Sequence, residues 1–280
     1  MEEQPEIKQE TNETIDPTFE KTLTHIVLND IDIQKDLRKS GYTQFQPPYT
    51  GFTFDTIPPY LTPQQYEQWE VEQERRRARY LEDMPMEKKE RIAKEQKGYD
   101  RTVEYTQLQV RNSLELLQNS RYGLKDVFKN RLKGEEVDSR NMISSMKEHG
   151  IEVKEFPEWE SGFDGKSNHG EARYTNGKWS AKFNMIALED PKEVLHEYVA
   201  IEAFDQFLRE RPSFGNAIKA LPLSLVVLMI GKSGRESFAR GQYVSQKMLT
   251  IPIIEEFYSV ISSYKDTSPT VQNLKRYLGA

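Results

Sequence analysis

No cysteine occurs in this sequence, which excludes disulfides, thiolate nucleophiles and cysteine-held zinc. Surplus positive charge is also missing: 39 Lys and Arg stand against 45 Asp and Glu, a formal net charge of -6. Phosphate backbones are bound by surplus cations, so nucleic acid is not an expected partner. The one basic run, Arg75-Arg76-Arg77-Ala78-Arg79, is surrounded by Glu70, Glu72, Glu74, Glu82 and Asp83. It reads as a solvated helix face with paired charges. Long apolar runs are absent too. The most apolar stretch, residues 217–230, contains Lys219, Pro222 and Ser224. It falls short of the ~20 apolar residues a spanning helix needs, so no membrane span is expected. The opening residues Met1-Glu2-Glu3-Gln4-Pro5 lack the apolar core of a signal peptide, and a cytoplasmic or virion-associated location is the expectation.

What is present is polar. Of the 280 residues, 36% are apolar and 30% charged, too polar for the whole chain to be packed core. An aromatic share of 11% argues equally against general disorder. The expected chain is α+β and mostly helical, with an extended helical N-terminal arm and a compact C-terminal domain holding a small sheet.

The division follows local signals. Residues 1–62 read as a polar tail and a Pro/Tyr-rich arm, with Pro47-Pro48-Tyr49 and Pro58-Pro59-Tyr60 barring helix. The arm's aromatics are placed to dock on another protein subunit or to fold back on the chain. Residues 63–135 read as a charged helical region. Thr62, Pro63 and Gln65 form a capping signal for a helix to about Asp83, and Gly98 marks the stop of a second. A third helix is expected over about 100–133. Residues 136–266 form the C-terminal domain. In it Asp138 caps a helix ended by Gly150, and Ile151-Glu152-Val153 starts a strand. Loop is expected over 157–172. Asn176-Gly177 predicts a hairpin into a strand over 178–188, with Trp179, Ala181, Phe183, Met185 and Ala187 on one face. Asp190-Pro191-Lys192-Glu193 opens a long helix, and Pro252 opens a last one to Tyr264. Residues 267–280 read as a C-terminal tail.

Three constellations could carry chemistry. Gly231-Lys232-Ser233 imitates part of a phosphate loop, but the glycine required five residues earlier is Val226, so it reads as a helix–helix turn. Asn168-His169-Gly170-Glu171 puts a histidine in a glycine-rich loop. The third is His196-Glu197, at the start of the long helix. Zinc peptidase helices carry two histidines four residues apart, with a glutamate between them that activates a metal-bound water. Here the second position is Ala200.

The surroundings of that pair carry a resemblance. A hairpin strand precedes the helix, and Glu236-Ser237-Phe238-Ala239 follows on a later segment. Together these resemble the lethal-factor-like domain of anthrax toxin and similar glutamate-ligand zincins, over about residues 141–264. The resemblance implies His196 and Glu236 as zinc ligands and Glu197 as the general base. Some domains of that family kept the fold, lost the zinc and became protein-binding modules. Similar degenerate domains occur in multidomain toxins and phage proteins.

A catalytic zinc needs three protein ligands and a water, and His196 with Glu236 supplies two. The expected function is therefore protein binding by a zincin-like domain with impaired catalysis, with no cofactor or weakly bound zinc. The arm would contact other subunits, as in a virion or toxin-related component. An active zinc peptidase and a purely structural assembly protein are the alternatives.

Overall fold

The structure, a computed structural model, describes residues 15–58, 60–156, 170–210 and 242–280. These residues are mostly helical, with one three-stranded mixed sheet. Contacts divide the chain into two compact units: residues 1–33 with 106–280, and residues 34–105.

In the first unit, α1 (Pro17–Asn29) is started by Asp16, whose carboxylate accepts from the Thr18 N–H at 2.8 Å. Phe19, Leu23 and Val27 recur at helical spacing and are buried. Glu20, only 3% exposed, accepts from the Arg111 guanidinium at 2.8 Å. This overturns the expectation of a polar tail and arm through residue 62. The charged residues around α1 mask a stripe of apolar positions every four residues.

The second unit takes most of α2 (Ile31–Lys39), then an irregular segment, α3 (Pro63–Glu82) and the first part of α4 (Met86–Gln118). Thr62 and Gln65 form the expected capping box of α3. The segment before it folds back on α3. The Asp55 N–H donates to Gln73 Oε1 at 3.1 Å, Arg76 pairs with the Asp55 carboxylate, and Phe52 leans on the Tyr80 ring. Tyr49, Phe54, Ile57 and Tyr60 remain exposed.

Helix α4 does not stop at Gly98 but runs on to Gln118. A mid-helix glycine costs only about 1 kcal/mol, and the Thr102 hydroxyl donates back to the Gly98 carbonyl at 3.0 Å. The break comes later, before α5 (Leu124–Leu132), at Gly123 with φ 88. A Cβ there would lie 2.4 Å from the His149 ring. The helix expected over 100–133 is thus two helices. Next comes α6 (Ser139–Glu148), with the expected Asp138–Asn141 capping box.

The sheet has strand order β1-β3-β2, with β1 (Glu152–Phe156) parallel to β3 (Lys178–Asn184) and β2 (Gly170–Thr175) antiparallel to it. Asn176 and Gly177 are both left-handed, φ 52 and 83, and close the predicted hairpin. Trp179, Ala181 and Phe183 are buried as expected. The strand ends at Asn184 rather than Leu188. The Asn184 side chain accepts from the Ala187 N–H at 2.9 Å, which caps the short helix α7 (Met185–Glu189) and leaves Met185 exposed.

Helix α8 (Pro191–Glu210) opens where predicted, with the Lys192 N–H donating to the Asp190 carboxylate at 2.9 Å. It is the core of the unit. Val194, Leu195, Tyr198, Val199 and Ile201 are all fully buried, and α6, α9 (Gln242–Ser263) and the sheet pack around it. Pro252 lies inside α9 rather than opening it, because buried Leu249, Ile251, Ile253 and Ile254 hold the helix on both sides of the proline. The expected tail contains α10 (Pro269–Leu278), capped by Ser268 and buried through Val271, Leu274 and Leu278. α10 packs on α1 and α5. Among the described residues, no helix is long and apolar enough to cross a membrane.

Candidate functional site

Two faces of α8 carry its polar chemistry. His196 lies on the first. Ala200, Ala203 and Phe204, further along that side, are buried at 3%, 0% and 3% exposure, while 53% of the His196 side chain remains accessible. The imidazole sits at the rim and turns to α9, where its Nδ1 lies 2.7 Å from Glu255 Oε1. Partial desolvation opposes charge on the ring. The Glu255 hydrogen bond and charge, aided by Glu197 and Glu193, outweigh it and hold the pKa up at about 9. The Glu255 contact occupies Nδ1 and leaves Nε2 as the ring nitrogen open to another partner.

Glu197, the next residue, faces the sheet. Its stem lies across Gly170 at the start of β2, where an added Cβ would meet the Glu197 Cγ at 2.9 Å. Burial raises its pKa above the usual carboxylate value, and the charges of Glu171 and Glu193 push the same way. His196 and the N–H of Ala172 oppose the shift. Glu197 thus borders β2, an edge strand of the sheet.

Of the two zinc ligands that the resemblance implies, His196 is described and Glu236 is not. Among the described residues, no group of three or more metal-ligating side chains exists. His196 and Glu255 are paired with each other, and the Ala200 methyl is packed into the core. Glu236, His169 and the Gly231-Lys232-Ser233 turn lie outside the described residues.

The second face of α8 presents Tyr198, Glu202 and Asp205, at steps of four and three residues. These close on the loop between α4 and α5. Glu202, 1% exposed, accepts from the Ser120 hydroxyl at 2.6 Å, the Arg121 N–H at 3.0 Å and the Tyr122 N–H at 2.7 Å. Its burial raises the carboxyl pKa, and those donors, with the Leu124 N–H, oppose the shift. Asp205, 4% exposed, accepts from the Tyr122 hydroxyl at 3.0 Å and the Trp179 indole N–H at 3.1 Å. Tyr198 donates to the Tyr122 carbonyl and shares a 2.9 Å hydrogen bond with Ser145. Buried carboxylates this well supplied with donors anchor the loop rather than await a substrate.

Sequence reasoning singled out none of Glu255, Glu202 and Asp205. A signal existed for all three, since each acid interrupts an apolar helix segment. What identified their partners was tertiary, because those lie 26 to 83 residues away. Comparison with protein-family models, curated proteins and solved structures finds no significant match for this chain.

Proposed function

We propose that this chain is a non-catalytic, protein-binding component of a larger assembly, whose first unit carries a zincin-like strand and helix without a peptidase centre. The observation that carries the reading is the packed methyl of Ala200, one turn beyond His196, where a peptidase helix needs its second ligand. A peptidase helix must offer a neutral imidazole to zinc. Here Nδ1 is held by a carboxylate of a neighbouring helix, which leaves Nε2 alone for a metal, and the methyl of Ala200 stands where the second ligand would be.

The second unit supplies the binding surface in this reading. Tyr49 at 74%, Phe54 at 50%, Ile57 at 51% and Tyr60 at 100% exposure lie along an irregular segment held on α3. Amphipathic aromatic side chains displayed on a fixed backbone lose little entropy on binding and are common interface anchors. Other protein subunits are the partners this surface fits.

Elemental analysis of the purified full chain, saturated with zinc and then dialysed at neutral pH, tests the reading. The expected result is far less than one zinc per chain and no change on substituting His196→Ala. Stoichiometric zinc lost in that variant, together with metal-dependent peptide cleavage, would overturn it in favour of an active zinc peptidase.

A further inference from the structure

Helix α3 spans twenty residues, and Gln73 is its only buried one. The irregular segment covers one face, through Gln73, Arg76 and Tyr80. On the opposite face Gln64, Val71 and Ala78 recur every seven residues, with Val71 at 57% exposure. A helix this polar and this open is marginal by itself, since isolated helices gain little from propensity alone.

Its charges are sorted by position. Glu67, Glu70, Glu72 and Glu74 fill the first half, and Arg75, Arg76, Arg77 and Arg79 follow directly. Internal pairing uses part of this: Arg75 meets Glu72 at 3.1 Å, Arg77 meets Glu74 at 3.4 Å, and Arg76 turns to Asp55. These pairs are exposed and individually weak.

We infer that α3 is a self-association surface, and that its occupant is the α3 of a second copy of this chain, laid antiparallel about a two-fold axis near the Glu74–Arg75 peptide. In that arrangement Glu70, Glu72 and Glu74 face Arg79, Arg77 and Arg75 of the other copy, which outnumber the single like-charge meeting of Glu67 with Glu82. Val71 meets the neighbourhood of Ala78, and both halves of the interface are satisfied by one rotation. Parallel pairing would set acid against acid and base against base. The face is too poor in apolar area for a permanent dimer, so the association is modest in strength and weakened by salt. This inference shares with the proposed function only the assignment of the second unit to protein contacts. Zinc content tests that reading and oligomeric state tests this one, so each can fail alone.

Sedimentation equilibrium of the full chain provides the test, at salt of about 0.05 M and about 0.5 M. A monomer–dimer equilibrium is expected, weakened at least about tenfold at the higher salt. A variant with Arg75→Glu, Arg77→Glu and Arg79→Glu, and one with Glu67→Lys, Glu70→Lys and Glu74→Lys, should each be monomeric and should pair when mixed. Because the chain has no cysteine, Val71→Cys and Ala78→Cys report orientation directly. A short bismaleimide should link Val71→Cys to Ala78→Cys faster than either to itself. A strict monomer at every concentration, a dimer indifferent to salt and charge reversal, or preferential linking of Val71→Cys to itself would each overturn the inference. Wild-type sedimentation decides the matter even if the charge variants lose helix by circular dichroism.

Discussion

Glu202, on the central helix of the first unit, accepts the backbone N–H of Tyr122 at 2.7 Å and so fixes the loop that leads into α5. The first turn of α5 has no side-chain cap of its own, because its N-cap is Gly123. A carboxylate from a distant part of the chain takes that role, placing negative charge where the helix dipole favours it.

Removing it should be expensive. Glu202→Ala leaves the Ser120 hydroxyl and the amides of Arg121 and Tyr122 buried without an acceptor, and the expected loss is about 3–5 kcal/mol. Glu202→Gln keeps the shape and one acceptor, so it should fall between wild type and Glu202→Ala. Urea unfolding followed by tryptophan fluorescence measures both.

His196 makes stability depend on pH on the alkaline side. Its folded pKa is raised to about 9 from an unfolded value of 6.5. Protons therefore bind the folded state more tightly. The stabilisation is complete below pH 6.5 and disappears as pH rises through 9. About half of the side chain is accessible, so screening reduces the effect to about 1 kcal/mol. In Glu255→Gln this slope should flatten, and the His196 ring signal followed by NMR should titrate at a markedly lower pH. An unchanged midpoint would disprove the pairing.

Two left-handed glycines separate backbone strain from collision. Gly123 and Gly134 have φ 88 and 85. An added Cβ at Gly134 meets nothing within 4 Å, whereas at Gly123 it lies 2.4 Å from the ring of His149. Gly134→Ala should cost about 1 kcal/mol and Gly123→Ala about 2–3 kcal/mol. Adding His149→Ala to Gly123→Ala should recover most of the difference.

The earliest helix should behave as core. Leu23→Ala is expected to cost about 3 kcal/mol, since Leu23 is fully buried, while Tyr49→Ala should stay within about 0.5 kcal/mol. Equal, small effects on thermal unfolding would return residues 17–29 to the status of an arm.

Local signals in the sequence were legible wherever a side chain acts on its own backbone. The Thr62–Gln65 and Asp138–Asn141 boxes, the Asn176-Gly177 hairpin and the Asp190-Pro191 helix start all lie where the residues place them. Signals that a neighbour can override failed. Gly98 and Pro252 are both helix breakers by propensity, and both lie inside helices. The Asn184 cap cut a strand that alternation would have extended to Leu188. At the candidate site, the start of α8 was readable from its cap, but neither the outward position of His196 nor its pairing with Glu255 was. No local pattern relates residues on two helices separated by 59 positions.

Packing of α10 on α1 has a temporal consequence. Helix α1 precedes this partner by about 240 residues of chain. No growing chain that stops short of α10 can close this core. Closing this part of the core therefore depends on a contact of very long sequence separation, which slows folding and leaves the apolar stripe of α1 open until the contact forms.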